Sequence, residues 1–112
     1  MKTLHLNLKK KWFDMILSGE KKEEYREIKP YWENRLFSKF NNSDIEKSLI
    51  TKNGFIGYSQ IIFSNGYSKN RPQFVIEFKG IEIREGNPDW GAEPGVRYFV
   101  LKLGGVIKTD DL

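Results

Sequence analysis

The charged run that ends at Arg26 contains the residues of this chain best suited to chemistry. It places Gly19, Lys21, Glu24 and Arg26 directly after an apolar helix pattern. A guanidinium offers a planar fork for a phosphate or a base edge, and a nearby carboxylate can orient it or accept a hydrogen bond from an exocyclic amine. A partly desolvated lysine can contact an anion or act as a base with a lowered pKa. The run therefore predicts a ligand site for an anion or a base.

The spacing alone also fits a plain strand surface. Charge runs are usually solvated, and exposed ion pairs contribute about 0 to 1 kcal/mol without any function. The elements around the run decide what it can do. Four apolar residues before it recur at helical spacing: Trp12, Phe13, Ile16 and Leu17. Gly19 follows where a left-handed residue ends a helix most easily, and an extended segment beyond it would put Glu24 and Arg26 on one face, with Lys21 entering from the turn.

The arrangement G-x-K-x-x-E-x-R resembles the signature of the ASCH family, small domains related to the PUA fold of RNA-modifying proteins. Gly19, Lys21, Glu24 and Arg26 fill its four positions. The context agrees, because a strand and a helix precede the signature and about five strand-like runs are present. The chain is similar to small single-domain bacterial or phage members. The resemblance implies binding of RNA, or of a nucleotide- or nucleoside-derived ligand, in a cleft between the signature strand, the first helix and a barrel edge.

Two other function classes stay open. Some ASCH members are amidohydrolases acting on acetylated cytidine nucleosides, with the signature lysine and a threonine at the position of Glu24, and others have been assigned ribonuclease activity. Because the threonine is absent here, that hydroxyl nucleophile does not carry over. A hydrolase would instead use Glu24 to activate water and Lys21 to stabilise the developing charge, which makes both tentative catalytic residues. The third class is an accessory factor that binds another protein.

Further ligand contacts are expected from basic and aromatic residues near the signature and in turns. Lysines at the start of the first helix oppose the dipole preference for acids there, which favours a role in phosphate contact. Aromatic rings beside basic residues can stack on unstacked bases, and a turn asparagine can contact a base edge. These candidates are Lys9, Lys10, Tyr31, Asn65, Tyr67 and Trp90. Trp32 is expected in the core by its spacing, and His5 is expected on an exposed strand face.

Composition sets the general class of the protein. The 112 residues predict a single domain spanning 1–112, and the absence of cysteine excludes disulfides and thiolate metal sites. With one histidine, no metal and no cofactor are expected. No apolar run reaches membrane-spanning length, so the expectation is a soluble cytoplasmic protein without a membrane partner. The net charge of +4 comes from the first forty residues, which hold 10 Lys/Arg and 6 Asp/Glu, and this excess favours a polyanionic partner such as RNA.

The periodicity predicts an α+β fold, a small PUA-like β-barrel of about five strands with two or three helices inserted in the N-terminal half. Predicted strands cover residues 3–8, 23–28, 58–63, 73–84 and 98–103, and predicted helices cover 9–18 and the pattern from Pro30 to Phe40. A short third helix is predicted from the capping pattern at Ser43 and Glu46. The polar stretch 41–57 is expected to cross the barrel rim, where it could form a lid. A phase shift at Gly80 predicts a bulge or barrel corner.

Overall fold

The computed structural model describes residues 2–36 and 57–110. Five strands and two α-helices lie in these ranges, in the order β1 (Lys2–Asn7), α1 (Lys10–Leu17), β2 (Glu23–Glu27), α2 (Pro30–Leu36), β3 (Tyr58–Ser64), β4 (Gln73–Glu85) and β5 (Arg97–Asp110). A 3₁₀ turn, Pro88–Trp90, lies between β4 and β5. The α+β class and the number of strands are confirmed. The predicted third helix, the rim segment apart from Gly57, and the part of the predicted second helix beyond Leu36 fall outside the described residues.

The strands form one mixed sheet in the order β1-β3-β4-β5-β2. β1 runs parallel to β3, and the other neighbouring pairs are antiparallel. The sheet curls into a half-barrel, and register shifts between Val75 and Gly80 mark irregular pairing of β4 with β5. The predicted irregularity at Gly80 is therefore confirmed. β1 and β2 are the end strands of this sheet, and the curl brings them close enough for the Arg26 side chain to reach the carbonyl oxygen of Asn7.

The main core lies inside the curl, under α1. Alternation in β1 buries the expected three leucines, and matching positions on the other strands and α1 complete the cluster: Leu4, Leu6, Leu8, Phe13, Ile16, Ile61, Phe63, Phe74, Ile76, Phe99 and Leu101. Leu36 joins this cluster from α2, and Trp32 packs against it half-buried. The aromatic rings interlock, with the Phe13 and Phe74 centroids 4.8 Å apart at an edge-to-face angle of 68°. The core thus fixes α1 and β2 relative to each other through β5.

The last strand is longer than its sequence pattern predicts. The predicted strand ends at Leu103, and the two residues that follow are glycines, which weaken a strand. Backbone pairing with Gln73–Phe78 of β4 nevertheless carries β5 through these glycines to Asp110. β2 pairs only with Tyr98–Lys102, so beyond Leu103 the strand has β4 on one side and no described strand on the other.

Candidate functional site

A tight helix end delivers the signature lysine into the protein interior. Gly19 has φ of 87°, the left-handed conformation predicted for a helix stop. Its amide donates to the carbonyl of Ile16 at 3.1 Å, and the amide of Lys21 donates to the carbonyl of Met15 at 2.9 Å. The chain therefore reverses within two residues, and the Lys21 side chain points inward from the turn before β2 begins.

Lys21 is almost fully buried, with 2% of its surface exposed. Its ammonium group donates to the carbonyl of Trp90 at 2.9 Å and lies 3.0 Å from Oε1 of Glu24. The rings of Trp12 and Tyr25 flank it, with centroids 5.2 Å and 4.8 Å from Nζ. Burial lowers the pKa of Lys21, although the carboxylate of Glu24 opposes that effect.

Glu24 joins the buried lysine to the signature arginine. One carboxylate oxygen faces Lys21, and the other lies 2.7 Å from Nη2 of Arg26. The Glu24 residue is itself only 7% exposed. These three side chains, called the ion chain from here on, place one negative group between two positive ones. The ion chain therefore has a net charge of +1 at the inner face of β2, and both oxygens of its carboxylate are engaged.

Two tyrosines, one on β2 and one on β5, hold the loop between β4 and β5 beside the ion chain. Tyr25 donates from its hydroxyl to Glu23 at 2.8 Å and accepts from the amide of Asn87 at 2.9 Å. The hydroxyl of Tyr98 accepts from the amide of Glu93 at 3.1 Å. A side chain at Gly86 would place its Cβ 2.6 Å from the Tyr25 ring, so only glycine permits this approach. Burial is the main reason why the pKa of Tyr25 is raised.

The outer end of the ion chain carries two buried polar atoms without a hydrogen-bond partner. Arg26 donates from Nη2 to the main-chain carbonyl of Asn7 at 3.2 Å. Within the described residues, however, Nε of Arg26 and Oδ1 of Asn7 are buried and unpaired. One atom is a donor and the other an acceptor, and they belong to residues in direct contact. Each buried unpaired group costs about 1 to 3 kcal/mol, so a partner for both is favourable.

Basic and aromatic side chains surround this unpaired pair. The Trp32 ring stacks on two guanidinium groups, with its centroid 4.9 Å from Cζ of Arg26 and 5.4 Å from Cζ of Arg35. Arg35 also donates to the carbonyl of His5 at 3.1 Å. A cavity of about 320 Å³ opens beside Asn7, and Tyr67 and Arg71 are among its lining residues. The group Asn7, Arg26, Arg35, Tyr67 and Arg71 is called the arginine surface below.

Two of the tyrosines predicted as ligand contacts have exposed side chains. Tyr67 is 87% exposed and lines the cavity at Asn7, while Tyr31 is 61% exposed and lies edge-on to Trp32. Their aromatic faces are therefore accessible from solvent at the arginine surface and its α2 border. Stacking on such rings is worth about 1 to 3 kcal/mol per base in proteins that bind single strands.

The other sequence candidates lie elsewhere or have structural partners. Lys9 and Lys10 are exposed at the start of α1, where Lys10 pairs with Asp14 at 2.7 Å. Asn65 donates from its side-chain amide to the carbonyl of Leu8 at 2.9 Å, which ties the β3–β4 turn to β1. Trp90 contributes its carbonyl to Lys21 and is half-buried. The sequence does not single out Asn7, Arg35 or Arg71, because residues of these types are common on strand, helix and turn surfaces.

A second cavity of about 400 Å³ lies on the other side of the signature turn. Its lining is mainly apolar and comes from the end of α1 and from two strands, with Ile16, Leu17, Ile76, Leu103 and Val106 among the contributors. Lys21 contributes to the wall, but its ammonium group points to Trp90 and Glu24, neither of which lines this cavity. The charged groups of Lys21, Glu24 and Arg26 therefore lie away from the apolar cavity, on the side of the arginine surface.

The outer face of the sheet carries a separate network of charges. Glu82 lies 2.8 Å from Nε of Arg84 and 3.0 Å from Nζ of Lys102, and Arg84 continues the network to Glu23. The hydrogen bond from Arg84, followed by that from Lys102, lowers the pKa of Glu82 to about 2. Hydrogen bonds from Arg84 and Tyr25 lower the pKa of Glu23, although its burial alone would raise it. This network joins β2, β4 and β5 across the face opposite the ion chain.

Comparison with models of known families, with curated proteins and with solved structures gives no match in any of the three sets. No family is assigned to the chain on this basis, and the ASCH resemblance stays a prediction. No group of three or more His, Cys, Asp or Glu suited to a metal occurs in residues 2–36 and 57–110. Over the same ranges, no helix is long and apolar enough to cross a membrane.

Proposed function

We propose that this protein is an ASCH-type, PUA-like domain that binds single-stranded RNA or a nucleotide-derived ligand at the arginine surface. The observation that carries the proposal is the unpaired donor on Arg26 beside the unpaired acceptor on Asn7. Every nucleobase presents an adjacent acceptor and donor on its edge, so one base can satisfy both atoms. Both atoms are buried, so a base reaches them only when the side chains around them move, and the two new hydrogen bonds must exceed the cost of that movement.

Charge and aromatic surface support the same proposal. The ion chain leaves a net positive charge behind Arg26, and Arg35 and Arg71 add two further cations. Phosphates are attracted to such a surface through ion contacts and counterion release. The exposed rings of Tyr31 and Tyr67 offer platforms for neighbouring bases. An oligonucleotide can use all of these features, whereas a lone phosphate can use only the cations.

Binding is favoured over hydrolysis by the state of the two tentative catalytic residues. Glu24 has one oxygen on Lys21 and the other on Arg26, so activating a water would first require breaking an ion pair. The Lys21 ammonium is enclosed by the Trp90 carbonyl, Glu24 and two aromatic rings. In this arrangement Lys21 and Glu24 hold Arg26 in place, and Arg26 contacts the ligand.

The test is a fluorescence titration of the three tryptophans with a uridine octanucleotide and with uridine monophosphate at low salt. We expect saturable quenching by the octanucleotide, since Trp32 stacks on Arg26. Asn7→Ala removes the unpaired acceptor and should weaken binding about tenfold, the equivalent of one hydrogen bond of about 1.4 kcal/mol. The same variant should keep or slightly raise the free energy of unfolding, because an unsatisfied buried group is gone.

Asn65→Ala is the matched control. Its amide already donates to the Leu8 carbonyl, so this substitution should lower the free energy of unfolding by about 1 kcal/mol and leave affinity within about twofold. The proposal fails if wild-type protein does not bind at low salt, or if both Asn7→Ala and Arg26→Ala bind as well as wild type. Conversion of the mononucleotide or cleavage of the octanucleotide would favour the hydrolase class instead.

A further inference from the structure

The turn between β3 and β4 brings an ordered guanidinium to the cavity beside Asn7. Arg71 is half-buried and contributes to the wall of this cavity of about 320 Å³. Its Nη1 donates to the carbonyl of Ser68 at 3.1 Å, and its main-chain amide donates to the same carbonyl at 3.2 Å. Because side chain and backbone share one acceptor, the turn itself fixes the position of the Arg71 side chain.

Gln73, the first residue of β4, holds a second side of the same guanidinium. With its amide oriented so that the oxygen faces the neighbouring donors, Gln73 accepts from Nε and Nη2 of Arg71, each at 3.2 Å, and from the hydroxyl of Ser64 at 2.9 Å. An arginine side chain has five N–H donors, and the contacts to Ser68 and Gln73 use three of them. Within the described residues, one N–H remains on each of Nη1 and Nη2. These two nitrogens form the end of the planar fork that matches two phosphate oxygens.

The remaining wall of the cavity suits an anion that is attached to a nucleoside. None of its described lining residues is acidic, so no carboxylate in the wall competes with a phosphate for Arg71. Asn7, whose buried Oδ1 lacks a partner, belongs to the same wall. The volume of about 320 Å³ is near the lower end of the range of about 300 to 1,000 Å³ found for ligand pockets. The cavity therefore has room for part of one nucleotide and not for several stacked bases.

We propose that this cavity is a phosphate subsite, in which Arg71 binds a phosphate of the nucleotide whose base meets Asn7 and Arg26, and Gln73 is the positioning residue for Arg71. The subsite rests on the proposed function, because the base of the same nucleotide must reach Asn7 and Arg26. Base and phosphate are then bound by different residues, so a nucleoside without phosphate loses the Arg71 contact and keeps the others. The phosphate is attached at the 5′ or the 3′ oxygen of the ribose, and this choice sets the direction in which an RNA strand crosses the arginine surface.

The test is displacement of a fluorescein-labelled uridine octanucleotide by uridine, 5′-uridine monophosphate, 3′-uridine monophosphate and inorganic phosphate at low salt. We expect one of the two monophosphates to compete about tenfold better than uridine, because charge-assisted hydrogen bonds to phosphate supply at least that factor, and to compete better than inorganic phosphate. Arg71→Gln should reduce the preference for that monophosphate to about twofold or less and leave uridine within about twofold of wild type. Lys69→Gln is the matched control. It removes the same charge from the same turn, but exposed Lys69 does not line the cavity, so the preference should remain.

Gln73→Met tests the positioning residue. It removes the acceptor for Arg71 and should lower the monophosphate preference with uridine unchanged, whereas a merely structural role would weaken uridine and monophosphate alike. Thermal unfolding of each variant checks that the fold is intact. If the octanucleotide binds but uridine and both monophosphates compete equally, or if Arg71→Gln keeps the preference, the subsite is overturned and the proposed function stands. Inorganic phosphate that competes as well as the monophosphates also overturns the subsite, and an octanucleotide that does not bind overturns the proposed function as well.

Discussion

Lys21 is a charged side chain that the protein buries and surrounds with partners. Its ammonium holds the carbonyl of Trp90 on one side and Glu24 on the other, so it joins the β4–β5 loop to β2. Removing one member of a buried ion pair usually destabilises a protein by about 3 to 5 kcal/mol, because the remaining charge loses its compensation. Here Glu24 keeps Arg26 as a partner, which moderates that loss.

We expect Lys21→Met to lower the free energy of unfolding by about 2 to 4 kcal/mol and to change its pH dependence. Because the pKa of Lys21 is lowered in the folded state, the unfolded chain binds more protons between that pKa and 10.5. Wild-type stability should therefore rise with pH in this interval. The raised pKa of Tyr25 has the opposite effect above its ordinary value of 10.0, so the measurement is urea unfolding between about pH 7 and 10. The variant should show a smaller rise; an unchanged profile would contradict the assignment.

Asn7 shows why part of the site escapes sequence analysis. Its alternation with the buried leucines places it on the other face of β1, which is all that its type and spacing indicate. The contact with Arg26 depends on the curl of the sheet, which brings two end strands together. The signature, by contrast, was visible in the sequence because Gly19, Lys21, Glu24 and Arg26 lie on one short segment. Burial of Lys21 was underestimated, since composition favours exposed lysines.

At the scale of elements, local patterns predict most strands and both described helices. α1 and α2 follow from helical spacing, and the bulged pairing of β4 follows from the phase shift at Gly80. The end of β5 does not follow, because its extension depends on backbone hydrogen bonds to β4 that glycine leaves intact. The curl is only partly predictable for the same reason: it arises from pairing across the sheet, which is not a property of any single strand.

The charge network on the outer sheet face should make stability sensitive to acid. The pKa of Glu82 is about 2 in the folded protein against an ordinary value of 4.5. A lowered carboxylate pKa contributes stability that is present above the unfolded value and is lost as pH falls toward the folded one. Lowering the pH from about 5 to 2 should reduce the urea concentration at the midpoint of unfolding, and we expect this reduction to be smaller in Glu82→Gln than in the wild type. Glu77→Gln, at an exposed position of the same strand, is the control and should leave the slope unchanged.

At the scale of the whole molecule, the proposed RNA contact should weaken as salt rises. The chain has a net charge of +4, so RNA is attracted to it. Raising salt from about 50 to 300 mM screens this attraction. The octanucleotide dissociation constant should therefore increase. Titrations at three salt concentrations measure it, and a dissociation constant that does not change with salt would contradict phosphate contacts at the arginine surface.

The two guanidinium groups that reach β1 have a consequence for the edge of the sheet. Arg26 from β2 and Arg35 from α2 donate to the carbonyl oxygens of Asn7 and His5, which are acceptors on an end strand of the sheet. A further strand arriving there would have to displace two charged donors. The same contacts that place the arginines therefore protect this end strand against edge-to-edge aggregation.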